Sequence, residues 1–373
     1  MIMKQNKPLA MNFKKIYILA ALLPAGLALC GQQVTDSKTL MKSFRATPDP
    51  VVEVSNKYGD VHITQSQSDS VRIRVEITAS SNTGDKTDAM MQDVDVKISM
   101  TAGTVRAETS FRKGITPLFE SLKGLTKNLI NFDSRMKIDY FVECPPETSL
   151  RITNSYGDVY IGDEVPVLAL KLSNGNLDAS AVGNAQMLEL TFSKANIRTI
   201  REGKVTLSFS ELRTRETGNI KLASVSSKAW IDDCGTIDLD SKRDDLHFGT
   251  IDVLTGTSYF SDIIADHLAG ELSMSVKYGN LSFENIRRSF RLIDVRSSYA
   301  DLDLTLEERS AYDLEIRHAN AFVSLPGVTP EPERTEISAQ DKLFLTKVTA
   351  GSGPSLPTIR IDATRGEIRI LQK

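Results

Sequence analysis

The acidic residues best placed to do chemistry in this 373-residue chain fall between positions 232 and 245. Asp232, Asp233, Asp238, Asp240, Asp244 and Asp245 lie close together, with Arg243 among them. Clustered carboxylates beside a cation could hold calcium, or supply the acid and base of glycan cleavage as in β-helical lyases and hydrolases. Adjacent residues of a strand point to opposite faces. Asp232 and Asp233, or Asp244 and Asp245, therefore cannot both serve one site, whereas Asp238 and Asp240 share a face. Solvated turn carboxylates are the plainer account. His62, His247, His267 and His318 are far apart and lack metal-ligand spacing. No Gly-x-Ser-x-Gly elbow or phosphate loop is present. Calcium-binding nonapeptide repeats need paired glycines at each turn, where this chain offers one. No metal, cofactor or catalytic residue is expected.

Cys144 falls on the apolar side of an alternating segment, as a buried, inert thiol would. A disulfide between Cys144 and Cys234 is open, since the two lie in different segments. Trp230 is either packed or free to stack on a sugar. Four tyrosines are more regular. Tyr58, Tyr156 and Tyr278 each precede a glycine, and Tyr299 precedes an alanine. Each ring could cover the backbone of its turn. Aligned, the four would make a broken aromatic stripe facing a glycan or a protein partner.

These tyrosines belong to a recurring turn. Asn56-Lys57-Tyr58-Gly59-Asp60-Val61 returns as Asn154-Ser155-Tyr156-Gly157-Asp158-Val159. Tyr278-Gly279-Asn280-Leu281, Asn174-Gly175-Asn176-Leu177, Tyr299-Ala300-Asp301-Leu302, Ala319-Asn320-Ala321 and Arg365-Gly366-Glu367-Ile368 are variants. Gly in the slot before the acid or amide suggests a left-handed turn, because Gly adopts positive φ without steric cost. Asp and Asn tolerate the same region. Apolar and polar residues then alternate, the period of a strand with one face buried.

From 150 to 326 the turn positions Asp158, Asn176, Asn196, Asp245, Asn280, Asp301 and Asn320 recur about every 18 to 21 residues, with degenerate turns near Leu212, Trp230 and Asp262. No helix signal interrupts the strands. The fold expected is all-β, a parallel β-solenoid (β-helix) preceded by a β-rich region. Stacked turns would let Asp and Asn bond along the stack. An antiparallel meander is the rival, since Asn174-Gly175 between alternating runs is also a hairpin signal.

Residues 1–31 join Lys4, Lys7, Lys14 and Lys15 to an apolar run from Ile16 to Leu29, the pattern of a secretory signal peptide; Met11 is an alternative start. Leu27-Ala28-Leu29-Cys30-Gly31 resembles a lipobox with Cys30 as lipid acceptor, although Leu29 is larger than that slot prefers. Ordinary cleavage near Cys30 or Gly31 is the other outcome. Residues 32–47 read as a polar tether and 48–149 as an N-terminal β region. Within it, Thr87 to Gln92 suggests a helical turn or two, and Ala102-Gly103-Thr104 a hairpin. Leu118, Phe119, Leu122, Leu125, Leu129 and Ile130 give an amphipathic helix near 117–130. Residues 327–357 form a polar excursion with one strand candidate at Leu343-Phe344-Leu345. Residues 358–373 form a terminal strand that closes the last coil.

The net charge is −3, with 40% hydrophobic and 25% charged residues. That composition is globular and lacks the basic stripe of a nucleic-acid binder. The paired Asn-x-Tyr-Gly-Asp-Val turns, together with the strand ending Tyr140-Phe141-Val142-Glu143-Cys144-Pro145, resemble the bacterial putative-adhesin domain family over about residues 48–326 and the terminal strand. The resemblance implies an exported β-solenoid, of a kind common in Bacteroidetes and without assigned biochemistry. The function expected is a non-catalytic binding or structural module of the bacterial cell envelope, in the periplasm, at the outer membrane or on the surface. Its partner would be an envelope protein or a glycan, not nucleic acid, and it would meet a membrane only through a lipid on Cys30. The alternatives are a carbohydrate-active β-helix enzyme and an envelope scaffold with no ligand of its own.

Overall fold

The computed structural model describes residues 33–112, 134–328, 330–353 and 355–373. Among them the chain is all-β, with 21 strands in one hydrogen-bonded sheet and a single helix. Residues 1–31, with Cys30, and the helix expected near 117–130 lie outside the described residues.

The N-terminal region holds β1 (Val34–Arg45), β2 (Val51–Lys57), β3 (Val61–Gln65), β4 (Ser70–Ser81), α1 (Gly84–Asp93), β5 (Val94–Thr101), β6 (Thr104–Phe111), β7 (Ser134–Cys144) and β8 (Ser149–Ser155). Val71, Ile73, Val75 and Ile77 of β4 are buried, as their alternation requires. Antiparallel pairs join β1 to β4 and β4 to β7. β5 and β6 form the expected hairpin at Ala102 and Gly103, both with positive φ, as a tight two-residue hairpin turn needs. The tether expected over 32–47 is instead mostly strand. β1 pairs with β4 along its whole length, while Leu40 and Phe44 pack against the core. Its polar sequence hid it, because partnership with β4, not β1's own apolar content, makes it a strand.

Next come β9 (Val159–Ser173), β10 (Asn176–Thr191), β11 (Lys194–Ser208), β12 (Glu211–Val225), β13 (Lys228–Lys242), β14 (Asp245–Ile286) and β15 (Leu292–Leu306). From β8 to β15 each strand pairs in parallel with the next in sequence. The parallel pairing of β9 with β10 overturns the meander, since the Asn174-Gly175 turn lies between them. Leu170, Leu188, Val205, Leu222 and Leu239 sit side by side on successive strands, all buried. Each such side chain contributes about 1.5–3 kcal/mol by leaving water.

The C-terminal region comprises β16 (Tyr312–Ala319), β17 (Phe322–Ser324), β18 (Glu333–Ser338), β19 (Leu343–Ala350), β20 (Thr358–Thr364) and β21 (Glu367–Gln372). The terminal strands do not close the end of the stack. β20 lies between β15 and β16, and β21 between β15 and β17, all in parallel. These two strands are therefore inserted out of chain order. The excursion expected over 327–357 folds back as a hairpin, β19 antiparallel to β16 and β18 antiparallel to β19. Two strands thus stand where the sequence indicated one. β18 carries Glu333, Arg334 and Glu336, charges that discourage further edge pairing.

Candidate binding surface

The turn that the sequence repeats has a different geometry from the one its glycines suggest. The left-handed residue is the one before the glycine slot. Tyr58, Tyr156, Asn174, Phe192, Phe209, Ser226, Arg243, Phe260, Tyr278, Tyr299, Asn320 and Arg365 all have φ between 49° and 67°. Each lies beside its counterpart on the neighbouring strand. The backbone N–H of Asn174 donates to Thr191, that of Phe192 to Ser208, that of Phe209 to Val225 and that of Arg243 to Tyr259. Asn320, an acid-or-amide position by its sequence, occupies the left-handed slot itself.

Glycine follows for a different reason. A Cβ on Gly157 would sit 1.9 Å from the carbonyl oxygen of Gly59, and one on Gly175 2.1 Å from that of Gly157. Gly59 would collide with Ile138 in the same way. Gly279 and Gly366 combine such contacts with positive φ. Where the slot is neither glycine nor alanine, serine or Asp244 fills it and bonds along the neighbouring strands. Ser210 Oγ accepts from the N–H of Ser193, Ser227 Oγ from Ser210, Asp244 Oδ1 from Ser227 and Ser261 Oγ from Asp244. Burial pushes the Asp244 carboxyl above its ordinary range, against the hydrogen bonds from Ser241, Ser227 and Lys242.

The next position forms the expected acid ladder. Asp60 accepts from the N–H of Asp158, Asp158 from Asn176 and Asp301 from Glu367, at 2.7 to 2.8 Å. Asn280 donates to Asp262 at 3.0 Å. Asn196 does not join it; Lys194 holds that place and pairs with Glu211, as Lys228 pairs with Asp245. Burial alone would raise the Asp60 carboxyl, but Lys137 and the Asp158 N–H hold it below its ordinary range. Asn56 and Asn154 clamp the first two turns by donating to the carbonyls of Gly59 and Gly157.

The four tyrosines do align, within a longer column. Tyr58 stacks on Tyr156 with centroids 5.5 Å apart. Phe192 stacks on Phe209 at 5.1 Å, Phe260 on Tyr278 at 4.7 Å and Tyr278 on Tyr299 at 5.2 Å. The Arg365 guanidinium lies over Tyr299, 4.8 Å from its centroid. The alternation of Leu188-Leu190-Phe192 and Val205-Leu207-Phe209 points Phe192 and Phe209 to the interior, but the left-handed turn carries both outside, and no glycine follows either of them or Phe260. Their exposures are 58%, 54% and 51%, and that of Tyr299 is 44%. A second stack, of Phe141, His62 and Tyr160, lies two residues beyond Asp139, Asp60 and Asp158 and also went unread. The shared offset from the acid ladder was its signal.

Two of the remaining carboxylate candidates are held in ion pairs. Asp238 pairs with Lys221, and Asp245 with Lys228. Among the described residues no three His, Cys, Asp or Glu side chains gather as metal ligands. Cys144 and Cys234 are separate, buried free thiols, which closes the disulfide question. Arg213, held by Glu211, covers a face of Trp230 at 4.7 Å. No described helix is long and apolar enough to cross a membrane.

No family model matches the chain, and no curated protein matches it. Solved structures similar to it include a "putative cell adhesion protein" from Clostridium sporogenes, 12% identical, covering 91% of this chain and 100% of that one, with a TM-score of 0.20. A "putative adhesin" from Bacteroides fragilis is 11% identical over 90% of this chain and 97% of its own, with a TM-score of 0.22. Another "putative adhesin", from Parabacteroides distasonis, is 11% identical over 91% and 98%, with a TM-score of 0.30. These neighbours carry the name of the family that the sequence resembles, and at such identities and TM-scores they lend this chain no role.

Proposed function

We propose that the chain is an exported, non-catalytic parallel β-solenoid of the bacterial envelope that acts as a binding module, with the aromatic column as its contact surface. The observation that carries this reading is the run of large, exposed rings at left-handed positions. Non-glycine residues there are strained, and Asn is the cheaper choice, as Asn174 and Asn320 illustrate. Phe192, Phe209 and Phe260 bring bulk without burial, which folding alone does not demand. In-register parallel pairing at offsets of 17 and 18 residues supports the solenoid. The engaged states of Asp238, Asp244 and Asp245 support a role without catalysis.

The stacked rings turn their faces to one another and their edges to solvent, an arrangement better suited to a protein partner than to sugar rings laid flat. The test compares wild type with a variant carrying Phe192→Ala, Phe209→Ala, Tyr278→Ala and Tyr299→Ala in binding to isolated envelope proteins and glycans. Loss of binding by the folded variant is expected; equal binding overturns the reading. Export is tested separately, by mass spectrometry of the mature N-terminus. A diacyl or triacyl Cys30 would mean anchoring, and an unmodified end near Gly31 a free protein.

A further inference from the structure

The aromatic column is interrupted at Asn174 and, over two levels, at Ser226 and Arg243. After Phe192 and Phe209 the next two residues of the column are Ser226 and Arg243, and rings resume at Phe260. Among the described residues Phe209 stacks on Phe192 alone and turns its other face toward the interruption, whereas Phe260 stacks on Tyr278 and also meets the edge of Tyr259 at 4.6 Å. Adjacent strands lie about 4.8 Å apart, so Phe209 and Phe260 are separated by about 14 Å. Ser226 is too small to fill its level.

Arg243 and its neighbour Lys242 are exposed, and among the described residues neither side chain has an ion-pair, hydrogen-bond or ring partner. Asp245, the nearby acid, is occupied by Lys228. The column itself shows what an arginine in this slot does. Arg365, also left-handed, lies over the ring of Tyr299 on the adjacent strand. Arg213 over Trp230 and Arg74 over Phe141 repeat the pairing elsewhere. Arg243 is left-handed like Arg365, but among the described residues its guanidinium is paired with no ring, although Phe260 stands at the next level of the column.

We infer that the level of Ser226 is a slot for an aromatic side chain presented by a partner polypeptide, sandwiched between the face of Phe209 and the guanidinium of Arg243. The unpaired charges of Arg243 and Lys242 select a partner whose aromatic residue is flanked by acidic ones. The inference rests on the column being a contact surface, and it names the place and the chemistry of the contact.

The probe is the blocked peptide acetyl-Glu-Phe-Glu-amide, followed by saturation-transfer NMR at millimolar concentration. Saturation of the phenyl protons is expected, with binding weakened about fivefold or more by Phe209→Ala or Arg243→Ala and on replacing the two Glu by Lys. Ser226→Phe supplies the missing ring from the chain itself. Its φ of 51° matches the 50° that Phe209 already adopts, so the variant folds. It should abolish peptide binding while raising Tm. No saturation in wild type overturns the inference, as does unchanged binding in the Ser226→Phe variant. If envelope binding is lost in the fourfold column variant yet kept in Ser226→Phe, the column is a contact surface and this slot is not part of it.

Discussion

Gly157 lies so close to Gly59 that a Cβ on it would stand 1.9 Å from the Gly59 carbonyl oxygen. The two residues are far apart in sequence and meet because β2 and β8 pair in parallel. Gly157→Ala must push two backbones apart, and it is expected to cost about 3 kcal/mol or more. Gly162→Ala is the control, since nothing lies within 4 Å of its Cβ position; it should stay within about 0.5 kcal/mol of wild type. Urea unfolding of both variants decides the matter, and equal midpoints would refute the steric account.

That glycine also marks where the sequence could be read and where it could not. Tyr156-Gly157-Asp158 announced a turn, the alternating residues after it announced a strand, and the regular return of both agrees with the parallel pairing of successive strands. The left-handed residue was misassigned because glycine has two uses, positive φ and close approach, and one sequence does not separate them. The aromatic column was half visible: Tyr58, Tyr156, Tyr278 and Tyr299 stood beside the motif, while Phe192, Phe209 and Phe260 stood beside serines. The placement of β20 and β21 between β15 and the β16–β17 pair was not legible, because alternation fixes a strand's faces and says nothing of which edges it joins.

Asp158 accepts two bonds from Asn176, from its backbone N–H at 2.7 Å and from its amide at 3.0 Å. This link holds one turn to the next at the solvent edge. Asp158→Ala should cost about 1 kcal/mol, with Asp158→Asn retaining part of it through its remaining oxygen. Hydrogen exchange at the Asn176 amide is the sharper readout. Protection there should fall in the alanine variant and stay near wild type at Ile197, whose neighbours are unchanged.

Asp244 stands among Ser193, Ser210, Ser227 and Ser261 in equivalent slots and carries its carboxyl into a buried place. Burial raises its folded-state pKa above the ordinary 3.8 despite its hydrogen bonds. The unfolded chain therefore holds fewer protons than the folded one between the ordinary and the raised value. Stability from this group is fullest below the ordinary carboxylate range and declines as pH rises through the folded-state pKa. Asp244→Ser removes the titration and keeps an acceptor for the Ser227 N–H. The stability of wild type relative to the serine variant should improve as pH falls from 7 toward 4. Denaturation midpoints at the two pH values read this directly, and a difference independent of pH would dismiss it.

Cys144 and Cys234 are both free, buried and far from forming a thiolate. Burial pushes the Cys144 thiol up to about 11 and that of Cys234 up to about 12. The thiolate is the reactive species, so neither should react with a thiol reagent at pH 7 while the chain is folded. In urea both should label at the rate of ordinary cysteines. Because Leu150, Val165 and the Pro145-Pro146 corner surround Cys144, its labelling should follow opening of that end of the stack. Cys234 stands on β13 in the middle of the stack, between Thr217 and Ile251 on the flanking strands, so its labelling should require more extensive unfolding. Timed labelling read by peptide mass spectrometry should therefore show Cys144 modified before Cys234 as urea is raised. The reverse order would mean that the centre of the stack opens before its N-terminal region.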